Sequence, residues 1–148
     1  MEFRNDFIQK TKEIYKNSVI KNIAYHKICN TLESYFLELK ESLKREIEVA
    51  SGEFDIKIMK YEKIEVNLNQ SQLVIEIDGF QVNINVKYYD DLTNEQIDKR
   101  IDRLYYTNGV FKSEVFQTTF TRSLIDNYLA IAFRKAIDEL SVNSEWLS

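Results

Sequence analysis

Between Asn5 and Ala50 the chain has neither glycine nor proline, and Ile28, Leu32, Tyr35, Leu39, Leu43, Ile47 and Ala50 recur at steps of three and four. That spacing predicts an amphipathic helix. Carried unbroken to residue 50, it would reach on the order of 70 Å at 1.5 Å per residue, whereas a globule of this size has a radius of gyration near ~15 Å. Asn17, Ser18 and Asn22 weaken helix propensity, and Val19 and Ile20 blur the stripe. A break there gives two helices, about 3–17 and 21–50. The alternative is one long helix protruding into a homodimer coiled coil, although the seam drifts towards a 3.6 period after Leu39.

Ser51-Gly52 ends the helical segment, and the period then changes from 3.6 to 2. Phe54, Ile56 and Ile58 alternate, as do Ile64, Val66 and Leu68; MKYEK between them fits either a five-residue hairpin loop or one long bulged strand. LVIEIDGFQVNINVKY carries Asp78-Gly79 as a two-residue hairpin loop, which pairs Ile77 with Phe80, Ile75 with Val82 and Leu73 with Ile84. The opposite face, with Glu76, Gln81, Asn83, Asn85 and Lys87, is polar. One apolar and one polar face predict an antiparallel sheet covered by helices on one side.

YYDDLTNEQIDKRIDRLYYTNG, residues 88 to 109, reads as a further helix. Thr93 and Gln96 form a capping-box pattern, with Leu92 and Ile97 placed as a hydrophobic staple. Asp90, Asp91 and Glu95 then sit at the positive end of the helix dipole, Ile97, Ile101 and Leu104 face inward, and Asn108-Gly109 closes the helix. Val110 to Thr119 is ambiguous between strand and loop, and Leu124, Ile125, Tyr128, Leu129, Ala132, Phe133, Ala136, Ile137 and Leu140 make a broadly apolar helix over about 121–140. The expected fold is a single α+β domain over residues 1–148. It comprises a long N-terminal helical segment, an antiparallel sheet of three to four strands, and two C-terminal helices packed on one face of the sheet.

Composition narrows the function classes. The 148 residues are 44% hydrophobic and 30% charged, enough apolar matter for one ordinary core. The net charge of -4 disfavours nonspecific binding to nucleic acid, although residues 10–27 hold five lysines against one glutamate and supply a nucleic-acid alternative. Cys29 is the only cysteine, and MEFRNDFIQK lacks the apolar core of a signal peptide, so a reducing cytoplasmic setting is expected. No apolar run approaches the ~20 residues of a membrane span, and no membrane partner is expected.

Candidate chemistry is sparse. Glu95, Asp98 and Asp102, on one outward line of the expected helix, resemble a Mg²⁺-binding row, but Lys99, Arg100 and Arg103 flank and neutralise it. His26 and Cys29 share a helical face at a spacing of three, with no third group to orient them. Three glycines leave no phosphate-cradling loop, and no cofactor is expected. Tyr88, Tyr89, Tyr105 and Tyr106, together with Trp146 in the tail, supply the large amphipathic side chains that interfaces favour.

FDIKIMKYEKIEV resembles the long first strand of SecB-type export chaperones, and NGVFKSEVFQTTFTRSLIDNYL resembles their segment leading into the last helix. The likeness covers roughly a quarter of the chain; the first 50 residues, helical here, have no counterpart in that family, and a strand is missing. It implies a small acidic chaperone or adaptor. The expectation for function is a non-enzymatic module of the inhibitor, immunity-protein, adaptor or chaperone type, binding another protein or a second copy of itself. Its surface would be Tyr88, Tyr89, Tyr105, Tyr106, Glu95, Asp98, Asp102 and Trp146. The alternative is a small-ligand binder or enzyme with a pocket between sheet and helices.

Overall fold

The computed structural model describes the backbone of residues 2–147 and the side chains of residues 2–141. It is α+β. Helix α1 runs without interruption over Glu2–Ser42 and is followed by a short continuation, α2, over Lys44–Val49. Asn17, Ser18 and Asn22 each cost a helix only a few tenths of a kcal/mol, too little to break one whose downstream half is anchored by burial. The two-helix expectation is therefore corrected. The α-helical pattern is interrupted at Leu43, whose N–H reaches the carbonyls of both Leu39 and Lys40. Positive φ at Ser51 (53°) and Gly52 (90°) then turns the chain into the sheet.

Six strands form one antiparallel meander, in the order β1 (Phe54–Met59), β2 (Lys63–Leu68), β3 (Ser71–Asp78), β4 (Gln81–Asp90), β5 (Glu95–Thr107) and β6 (Val110–Ser113). The expectation of three to four strands is too low. Lys60-Tyr61-Glu62 is a three-residue hairpin loop with Tyr61 at φ 65°, so residues 54–66 are two strands and not the single long strand of the chaperone likeness. Between β3 and β4 the pairing is Ile77 with Val82, Ile75 with Ile84 and Leu73 with Val86. The loop is therefore Gly79-Phe80, with positive φ at Gly79 alone (60°), as a two-residue turn with glycine first requires. A register shift of two residues keeps every side chain on its expected face, because the side-chain period is also two.

The largest correction lies in residues 88–109, which hold no helix. Asp90 pairs with Glu95 and residues 91–94 form a hairpin loop, closed by the Asn94 N–H on the Asp90 carbonyl (2.8 Å) and the Leu92 N–H on the Asp90 carboxylate (2.9 Å). Leu92, the expected staple, is 96% exposed. Asn108-Gly109, the expected helix terminus, is a two-residue hairpin loop with φ of 46° and 84°. One C-terminal helix, α3 (Arg122–Leu147), replaces the expected pair.

The core lies between the inner face of the sheet and the two helices. Ala24, Ile28, Leu32 and Phe36 from α1, and Leu124, Ile125, Tyr128 and Phe133 from α3, cover Ile56, Val66, Leu73, Ile75, Val82, Ile84 and Leu104. Tyr35 donates to Asp126 and Arg122 to Glu38 (2.7 Å), tying the helices together. On the outer face Asn67 donates to Asp55 and Gln72 to Asn67, both at 2.7 Å, a polar row across three strands.

Candidate functional site

Sequence reasoning placed Glu95, Asp98 and Asp102 on one line; strand β5 separates them. Ile84 pairs with Asp102 and Asn85 with Arg100, so Ile101 is an extra residue on β5. Such a bulge reverses the alternation of faces beyond it. Glu95 and Asp98 lie before the bulge, both exposed, with Asp98 3.9 Å from Lys87. Asp102 lies after it and turns inward, to 2% exposure. The three carboxylates cannot share a cation in this arrangement.

Asp102 organises the inner end of the sheet. One carboxylate oxygen accepts the N–H groups of Arg103 (2.8 Å) and Val115 (3.1 Å); the other accepts the hydroxyls of Ser113 (2.6 Å) and Tyr128. Ser113 in turn accepts the Phe116 N–H at 2.9 Å. Strand β5, strand β6, the following loop and α3 are thus held by one carboxylate whose lone pairs are all engaged. Burial, with the Asp102 hydrogen bond and charge adding to it, raises the Tyr128 pKa far above that of a free phenol. Ser113 is fully buried and committed on both sides, so the group is a structural latch and not a nucleophilic site.

The tyrosine pairs divide between the two faces. Tyr88 and Tyr106 pack on the core, with Tyr106 edge-on to Phe111 at 5.9 Å. Tyr89 and Tyr105, half-buried, lie on the outer face, where Tyr105 stands 5.6 Å from the Arg103 guanidinium. They do not form one continuous surface with Glu95 and Asp98, and Trp146 lies outside the described side chains.

His26 and Cys29 also part company. His26 Nδ1 meets the Tyr61 hydroxyl at 3.2 Å, whereas Cys29 is buried. Burial pushes the Cys29 thiol up, the nearby Glu33 charge adds to this, and a Tyr25 hydrogen bond partly offsets it. A thiol raised in this way supplies little thiolate. Around it, Tyr25 stacks on Tyr61 (6.0 Å) and meets Phe80 edge-on (5.5 Å), while the Lys21 ammonium lies 4.1 Å above the Phe80 ring. This aromatic clasp seats α1 on the tips of two hairpins.

Upstream of the clasp, no element among the described residues covers α1. Phe3 and Ile14 are each 73% exposed, and Phe7, Tyr15 and Val19 are each more than half exposed. At 100° per residue, Phe3, Phe7 and Ile14 line one side of a stripe and Ile8, Tyr15 and Val19 the other, with Thr11 and Ser18 between them. Lys10 and Lys12 border the stripe, whereas Glu2, Asp6 and Glu13 lie on the far side; Arg4 falls within it. The arm, residues 2–19, is therefore an apolar ridge with basic edges. Sequence reasoning weighed these residues by their lysines and missed the stripe, although its spacing was available.

Two depressions border α3. An apolar groove of about 580 Å³ runs between the end of α1, β1, β2 and α3, floored by Leu39, Leu43, Phe54, Leu68, Phe133 and Ile137, with Glu46, Asp138 and Arg134 at its rim. A more polar cleft of about 410 Å³ between the sheet and α3 gathers Tyr88, Tyr89, Asp91, Lys99, Lys135 and Glu139. Lys135 stands 3.7 Å from Asp91, but both are more than 60% exposed, so water screens the pair. Among the described residues no group of three or more His, Cys, Asp or Glu side chains converges as a metal site would require. Comparison with protein-family models, curated proteins and solved structures finds no match to this chain.

Proposed function

We propose that this protein is a non-enzymatic protein-binding module that engages its partner through the apolar ridge of the α1 arm. The observation that carries this is the exposure of Phe3, Phe7, Ile14, Tyr15 and Val19 on one side of a helix with no covering element among the described residues. A contiguous apolar face of this kind marks an interaction surface. The latch at Asp102 and the clasp at Tyr25 support a binding role, since each spends its polar chemistry on holding the framework.

Crosslinking in native cells, followed by mass spectrometry, compares the wild type with a Phe7→Glu/Ile14→Glu variant. Adducts carried on arm peptides and lost in the variant are expected. Adducts unchanged by the variant, or confined to the outer face of the sheet, would overturn the assignment.

The polar cleft favours a second reading, a small-ligand binder with Tyr88 and Lys99 beside Lys135 and Glu139. A melting temperature raised by an anionic or zwitterionic metabolite, and insensitive to it after Lys99→Ala, would favour the cleft over the arm.

A further inference from the structure

From the arm and the groove together we infer that the arm's partner is a second copy of this chain, each arm seated in the other's apolar groove; this rests on the docking role proposed above. The chain carries two uncovered apolar surfaces of opposite shape, a convex ridge on residues 2–19 and the concave groove floored by Leu39, Leu43, Phe133 and Ile137. Their charges are also matched in part. Lys10 and Lys12 edge the ridge, and Glu46 and Asp138 stand at the rim of the groove, where Arg134 is the one opposing charge.

Pairing arm against arm is the simpler way to cover the ridge, and the charges disfavour it. In an antiparallel pair centred on Thr11, Lys10 lies beside its own symmetry mate and Lys12 beside its own, four ammonium groups around one seam. In a parallel pair, Lys12 of one arm falls on the same side as Lys10 of the other. A lysine-edged ridge fits an acidic-rimmed groove better than it fits itself.

The dimensions allow a closed assembly. From Thr11 in the middle of the arm to the Leu39–Leu43 side of the groove is about 45 Å along the helix, taking 1.5 Å per residue. Two copies with their α1 helices antiparallel would bring each arm to the other's groove. The contact is then reciprocal, which closes a two-fold dimer instead of propagating a fibre. A reciprocal pair makes this contact twice, so each copy both covers its own arm and fills its own groove.

The test is light scattering on the full chain at tens of micromolar, with wild type, Phe7→Glu/Ile14→Glu and Ile137→Glu measured alone and mixed. Wild type is expected at twice the chain mass and each variant near the monomer mass. A one-to-one mixture of the two variants is expected to recover a dimer, because one sound arm still meets one sound groove. Circular dichroism checks folding, and Asp138→Lys, on the exposed rim, replaces Ile137→Glu if that variant is misfolded. A dimer lost in the arm variant but untouched by both groove variants overturns arm-in-groove in favour of arm-on-arm pairing. A monomeric wild type overturns self-association outright. If its arm crosslinks to a different protein in cells, or the chain sediments with phosphatidylglycerol vesicles through the same residues, the partner is that protein or that lipid surface. Crosslinks indifferent to the arm remove the docking role as well.

Discussion

The two halves of helix α1 share one backbone and one regular hydrogen-bond ladder, yet their apolar residues meet opposite fates. Leu32 and Phe36 are wholly buried, whereas Phe3 and Ile14 are each 73% exposed. Helical continuity explains how the upstream half is held in shape, since extending an existing helix needs no new nucleus. It does not explain why six apolar side chains fall on one side of it. The buried half answers to the core of its own chain, and the exposed half is the surface proposed above to meet a second copy.

The sharpest way to break that contrast is truncation on each side of it. Phe36→Ala is expected to cost about 4 kcal/mol of unfolding free energy, the range for removing a buried aromatic. Phe7→Ala, measured by urea denaturation at submicromolar concentration, should cost less than about 0.5 kcal/mol, the ordinary range for surface changes. Comparable losses at both positions would mean that the arm is covered by its own chain.

Asp102 extends the comparison to polar groups. Asp102→Ala leaves the Val115 N–H and the Ser113 and Tyr128 hydroxyls without their acceptor, and is expected to cost at least about 3 kcal/mol, at one to three per buried unsatisfied group. Substituting the exposed Asp98, which forms a 3.9 Å ion pair with a solvated Lys87, should change stability by less than about 0.5 kcal/mol. Gly109, at φ 84°, has only Ile20 within reach of an added methyl, at an ordinary 3.7 Å. Gly109→Ala should therefore cost about 1 kcal/mol, all from the left-handed backbone, with no loss of α1 packing.

The smallest effect within ordinary buffers concerns Tyr128. Its folded pKa is raised by burial and by Asp102, so the folded state keeps a proton that the unfolded phenol gives up near its usual value of ~10. Its contribution is fully present below that pH and declines as pH climbs above it. Alkaline unfolding followed by circular dichroism should be shallower in Tyr128→Phe. An unchanged slope would mean the phenol does not titrate differently in the two states.

How legible these features were in the sequence depended on whether one element alone set the pattern. The β3–β4 hairpin kept its faces although its loop moved by one residue, since this shifts the strand pairing by two and only an odd slip exchanges faces. Strand β5 was misread because the bulge at Ile101 breaks its alternation: Ile97, Ile101 and Leu104 then fall at steps of four and three, which imitates a helix. Thr93 and Gln96 completed the imitation. Asn108-Gly109, between Tyr105-Tyr106 and Val110-Phe111, was a hairpin signal that the helical interpretation absorbed as a terminus. The inward turn of Asp102 depends on that bulge and on partners in β6 and α3, so no local spacing could disclose it. The arm differs, because its stripe is local and only its lack of cover required the fold.

The most direct measurement of the central claim is backbone amide exchange along α1, taken at submicromolar and at tens of micromolar concentration. Residues 24–36 should be equally protected at both. Residues 2–19 should exchange fast when dilute and slowly when concentrated, and Phe7→Glu/Ile14→Glu should abolish the difference. An arm whose exchange is independent of both concentration and substitution would contradict its role as an interface between two copies.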